Sequence, residues 1–203
     1  KLDLVGDKRL TDGTLLASLS GLFRDKPENI VVAGLTHILR NSPVARNVLT
    51  EHAFAGVQDF PKVAWYRSQK SEDLTRPDIA GVDEHGAEIV LIEAKFWAGL
   101  TKQQPNGYLD RLSNLKGSSL CFIVPESRRS SLWSEVLGRA AHRTPAIQNK
   151  ESSGFMARTE DHSVLTMITW QGLLQAMLEA TTTAGDLKAT HDIEQLGGLC
   201  EQL

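Results

Sequence analysis

Two short apolar runs, Ile79 to Val82 and Glu88 to Lys95, are joined by Asp83-Glu84-His85-Gly86. Asp and Gly are turn formers, and no apolar residue interrupts the connection. The second run is rich in Ile, Val and Leu and reads as a strand. Two apolar strands with a short polar connection make a β-hairpin, and the other elements have to be arranged around it.

Side chains alternate along a strand. Ile89, Leu91, Glu93 and Lys95 therefore share one face, and Val90, Ile92 and Ala94 the other. Glu93 and Lys95 stand at the far end of the second strand. In an antiparallel hairpin that end lies beside Pro77-Asp78, at the start of the first. Two carboxylates and an amine are thus gathered at one end of an otherwise apolar hairpin. Charges beside apolar strands are costly to bury unless they are paired or hold a cation. A divalent metal such as Mg²⁺ takes hard oxygen ligands of this kind. The same letters also fit a surface hairpin whose Glu93 and Lys95 are solvated.

Pro77-Asp78 followed by Glu93-Ala94-Lys95 resembles the signature of the PD-(D/E)XK nuclease superfamily. The resemblance implies an α/β, restriction-endonuclease-like core, a central mixed β-sheet of about four to five strands flanked by helices. It implies metal-dependent hydrolysis of phosphodiesters, DNA favoured over RNA, in bacterial defence or DNA processing. Asp78 and Glu93, with the Ala94 carbonyl, would bind Mg²⁺ or Mn²⁺, and Lys95 would hold the attacking water. Many members carry an acidic residue on a helix ahead of the sheet, and Glu28 resembles that position, with Glu51 as a rival. Gln104 and Tyr108 resemble a glutamine–tyrosine motif that positions nucleic acid or water in exonuclease-like branches. The alternative is a catalytically silent module that keeps the fold for nucleic-acid or protein binding.

The chain has 203 residues, 41% hydrophobic and 23% charged, which suits one soluble domain with a short appendage. The expected division is a nuclease-like domain over residues 1–183, then an amphipathic helix over 184–203 that could lead into a further domain. No apolar run is long enough to span a bilayer, and no signal-peptide pattern opens the chain. It begins at Lys1, which leaves a trimmed N-terminus open. Cys121 and Cys200 are too few for a disulfide framework, and a cytoplasmic location is the default. Net charge is −3, not the field of a strongly basic nucleic-acid binder. Phosphate contacts would have to come from Arg67, Lys70, Arg76, Arg128, Arg129, Arg139 or Arg143, each of which could equally be a solvated surface charge. A homodimer stays open.

Along the chain, Leu15 to Phe23 show helical spacing. Asp25-Lys26-Pro27-Glu28 reads as a helix start, which makes Glu28 a capping-box residue as readily as a metal ligand. His37 lies about half a turn around from Glu28, so it reads as structural. Ser42-Pro43 starts a second helix. Phe60 to Arg67 reads as the first strand. Thr101 to Gln104 reads as a capping box opening a helix through Tyr108, Leu109, Leu112 and Leu115, with Gln104 and Tyr108 on one face. In that setting Gln104 could simply cap and Tyr108 simply pack. Leu120 to Val124 fits a strand buried on both faces, with Cys121 as a small hydrophobe. A helix through Leu132 to Ala140, a surface loop over 143–162, a strand Val164 to Thr169 and helices over 170–180 and 186–203 complete an α/β alternation. The sequence has no phosphate-binding P-loop, no nucleophile elbow and no zinc-ligand spacing.

Overall fold

The apolar runs pair into one mixed, open sheet. A computed structural model describes residues 27–55, 57, 59–68, 76–115, 117–142 and 155–203. Among these the strands are β1 (Trp65–Ser68), β2 (Ile79–Val82), β3 (Glu88–Ala94), β4 (Ser119–Val124), β5 (Met156–Arg158) and β6 (Val164–Thr169). Their order across the six-stranded sheet is β1-β2-β3-β4-β6-β5. β1, β2 and β3 run antiparallel, β3, β4 and β6 run parallel, and β5 pairs antiparallel with β6. Asp83 closes the β2–β3 turn: its Oδ1 accepts from the His85 and Ala87 N–H groups at 2.9 and 2.8 Å.

Helices cover both faces, which makes the protein a three-layer α/β structure. On one face α1 (Pro27–Asn41), α2 (Pro43–Phe54), α5 (Trp170–Thr183) and α6 (Leu187–Cys200) pack Leu35, Leu49, Leu173 and Ile193 against Ile79, Val90, Ile92 and Cys121. On the other, α3 (Asn106–Leu112) and α4 (Glu126–Ala140) pack Leu109, Leu112 and Val136 against Ala80, Leu91, Leu120 and Phe122. β4 lies between the layers and is buried along its whole length, as its continuous apolar run requires. Burial also pushes the Cys121 thiol up to about 12, so it remains a protonated, unreactive hydrophobe. Ser42 caps α2 by accepting from Ala45 N–H at 3.2 Å, and its hydroxyl donates to Asp186 at the start of α6 at 2.7 Å. Ala189, Ile193 and Leu196 of α6 belong to the first core, so residues 187–200 are built into the domain. His37 is buried, with Asp192 of α6 3.5 Å from its Nε2, and burial lowers its pKa, as fits a structural histidine. No helix among the described residues is long and apolar enough to cross a membrane.

The structure corrects the sequence reading in four places. The sheet has six strands rather than four to five. The extra one, β5, lies in the segment read as a surface loop over 143–162, and its three residues are too few to display a period. β1 begins at Trp65 rather than Phe60; ahead of it Ala64 N–H still bonds Val82 O, at 2.8 Å. The face assignment of β3 breaks at Ile89. Gly81 pairs with Val90 but Val82 with Glu88, so Ile89 is an extra, bulged residue. It joins Val90 and Ile92 in the first core instead of Leu91 in the second. Finally, α3 starts at Asn106, not at Thr101. The helix read over Leu15 to Phe23, the Asp25 cap, Lys70 and Arg143 lie outside the described residues.

Candidate functional site

Parallel pairing sends the C-terminal ends of β3, β4 and β6 to one edge of the sheet. Antiparallel β2 begins at that edge. Ligands of open α/β sheets bind outside these strand ends. Ile79 pairs with Ile92, which sets Asp78 level with Glu93. Asp78 Oδ2 accepts from the Ala94 N–H at 2.8 Å, its only hydrogen bond among the described residues. The Ala94 N–H thus holds the Asp78 carboxyl beside Glu93.

Glu93 collects three donors. Its Oε1 lies 2.8 Å from Lys95 Nζ and 2.7 Å from Gln104 Nε2. Its Oε2 lies 2.9 Å from the Tyr108 hydroxyl. That hydroxyl is also 3.0 Å from Arg76 O, and its one proton goes to the carboxylate as the stronger acceptor. The Glu93 and Lys95 side chains are only 7% and 9% exposed, so the solvated-hairpin reading fails.

Gln104 lies just before α3, not on it. Its Oε1 accepts from the Thr101 N–H at 3.0 Å, half of a capping box. The other half is missing, because the buried Thr101 hydroxyl has no partner. The accepted N–H fixes the amide so that Nε2 points at Glu93. Arg139 of α4 holds this loop from behind. Its Nη1 donates to Thr101 O at 2.5 Å and to Gln104 O at 3.2 Å, while its Nη2 pairs with Glu135 at 2.7 Å. Nothing in the sequence singles out Arg139 for this task; only the α4–loop contact reveals it. Arg139→Met is expected to cost about 2 kcal/mol in urea denaturation, the loss of charge-assisted bonds to buried carbonyls. The same variant should broaden the Gln104 amide NMR signals.

Of the other cations weighed as phosphate contacts, Arg67, Arg128 and Arg129 have partners within the protein. Arg67 and Arg111 both pair with Glu88. Arg128 donates to Phe96 O and Ala98 O at 2.6 and 2.9 Å. Arg129 pairs with Glu126 and covers the Phe155 ring. Glu28, in the first turn of α1, reaches the same sheet edge and accepts from the Trp97 N–H at 3.3 Å. Glu51 is exposed on α2 and lines a different groove, beside His52.

Burial, the Glu93 charge and the Glu28 charge together push Asp78 up to about 7, against the opposing pull of Ala94 N–H and Lys95. Burial and the Glu93 charge raise Tyr108 far above its ordinary value, so it stays a neutral donor.

No family model, no curated protein and no solved structure matches the chain. Among the described residues no three His, Cys, Asp or Glu side chains converge as a group that could hold a metal ion. Two carboxylates nevertheless retain free acceptor capacity. Among the described residues Asp78 Oδ1 carries no hydrogen bond, and Glu93 Oε2 carries one. Mg²⁺ is commonly held by one or two carboxylates and several waters. The donor set fits such a water-rich site and does not fit a closed protein cage.

Proposed function

We propose that this edge of the sheet is the active centre of a metal-dependent phosphodiester hydrolase of the restriction-endonuclease-like kind, acting on nucleic acid, with DNA the favoured substrate. The observation that carries the reading is the buried ion pair of Lys95 and Glu93 beside Asp78, whose carboxyl burial and like charge hold at about 7. Perturbed carboxylates with a fixed cation at strand ends are a functional-site signature. Asp78 and Glu93 would hold Mg²⁺ or Mn²⁺, which when bound polarises a phosphoryl oxygen and acidifies its water. Lys95 orients the attacking water and offsets charge that grows on the phosphoryl oxygens. Gln104 and Tyr108 keep the Glu93 carboxylate in one orientation. Glu28 steadies the Trp97 backbone at the rim and adds negative potential for the cation.

One observation favours the silent-module reading: Lys95, Gln104 and Tyr108 already give each Glu93 oxygen at least one partner without any ligand. Two measurements decide between them. Calorimetry with Mn²⁺ on wild type and Asp78→Ala reads metal binding, and plasmid or single-strand cleavage with Mg²⁺ reads turnover. The hydrolase predicts Asp78-dependent metal uptake and cleavage. Absence of both leaves the binding module.

A further inference from the structure

A groove of about 600 Å³ opens next to the site edge, between the loop after β3, the start of α4 and helices α5 and α6. Its size is that of a small-molecule site. Trp97 stands at its rim, 64% exposed, yet is held at both ends. Its N–H donates to Glu28 Oε1 and its indole Nε1 to Leu203 O at 2.6 Å. Phe96 and Trp170 stack at 5.2 Å between centroids, 18° apart, deeper in the groove. Trp170 is 3% exposed, and its Nε1–H has no hydrogen-bond partner among the described residues.

The charged side chains among the described residues lining the groove are all carboxylates. Glu126, Glu194 and Glu201 line it, and none of the described lining residues is Lys or Arg. Glu126 is paired with Arg129 and Glu194 with His191, while Glu201 has no ion-pair partner among the described residues. Glu194 stands on α6 and Glu201 is the residue that caps its C-terminus, seven positions on and on the same side. Gly197 and Gly198 lie between them, and a Cβ at either would meet only open space. Aromatic faces ringed by carboxylates attract an organic cation and repel phosphate.

We propose that this groove binds a small organic cation, an ammonium or guanidinium group on an apolar stem. The exposed Trp97 ring takes the stem and the charge, Phe96 and Trp170 form the apolar floor, and Glu201 and Glu194 face the cation. The proposal does not rest on the hydrolase reading, because the groove shares no residue with Asp78, Glu93 or Lys95.

The probe is benzamidinium, with benzamide as its neutral isostere, read by the indole Nε1–H NMR signals of Trp97 and Trp170. Saturable shifts are expected with benzamidinium, and at least about tenfold weaker binding with benzamide. Gly198→Leu fills open space and is expected to abolish the shifts while the rest of the spectrum is kept. Glu194→Gln/Glu201→Gln changes no packing and is expected to weaken binding about fivefold. No saturable shift, equal binding of benzamide, or unchanged binding in the double glutamine variant would overturn the assignment.

Discussion

On the proposed hydrolase reading, Lys95→Met is expected to lower Mg²⁺-dependent cleavage by about 10²–10³-fold, the usual loss when a preorganised charge at a reacting centre is removed. The reason is local. The Lys95 ammonium is the one cation bound to Glu93 among the described residues, and its stem is buried, so no neighbour can replace it. The substitution also strands a carboxylate. Glu93 would keep only Gln104 and Tyr108 as donors, at 2.7 and 2.9 Å. Breaking a buried ion pair on one side costs several kcal/mol, and the two remaining donors reduce this to about 2–3 kcal/mol. A second variant separates the effects. Glu93→Gln/Lys95→Met removes both charges, so most of the stability should return while cleavage stays lost. Urea denaturation and plasmid cleavage on the same preparations provide the check. If Lys95→Met cleaves like wild type, Lys95 has no part in turnover.

Asp78→Asn is expected to make the metal-free protein more stable by about 2 kcal/mol above pH 7, while abolishing cleavage. The sign follows from the direction of the shift. An ordinary aspartate near 3.8 is held here at about 7. Between those values the folded state keeps a proton that the unfolded chain has released. Stability therefore falls as pH rises through that window, and the penalty is complete above pH 7. Asparagine carries no charge to penalise, and its side-chain oxygen can still accept from Ala94 N–H. The variant should lose the pH dependence together with the penalty. Added Mg²⁺ should raise the melting temperature of wild type and leave Asp78→Asn unchanged, because a ligand stabilises only the state that binds it. Thermal unfolding between pH 5 and 8, with and without Mg²⁺, tests both halves. A variant less stable than wild type at pH 8 would overturn the electrostatic account.

The gathering of Asp78, Glu93 and Lys95 was legible from the hairpin alone, because pairing two strands across a turn brings their open ends level whatever surrounds them. The Gln104–Tyr108 pair was legible too, but for an incomplete reason. The letters suggested two residues on one helix face, whereas Gln104 precedes the helix and Tyr108 sits on it. They meet at Glu93 because Thr101 and Arg139 shape the loop. Arg139 was invisible for that role, since a backbone-carbonyl clamp leaves no pattern in side-chain order. β5 was missed because a three-residue strand is specified by its partner β6 rather than by its own letters. Ile89 was put on the wrong face because alternation holds only while pairing is one to one. The first core, by contrast, followed from apolar stripes at Leu35, Leu49 and Leu173 that need no partner to be recognised.

The unpaired residue at Ile89 has a bearing on how this protein could vary. Val90 to Ala94 are locked to Ser119 to Ile123 by the neighbouring parallel strand. A change in length on the turn side of Ile89 can therefore be absorbed there and need not travel toward Glu93. The end of the ribbon that carries Asp78 and Glu93 is mechanically uncoupled from its tip. Insertions or deletions near Glu84 and His85 should be tolerated, whereas a single deletion between Val90 and Glu93 would rotate the acid into the opposite layer.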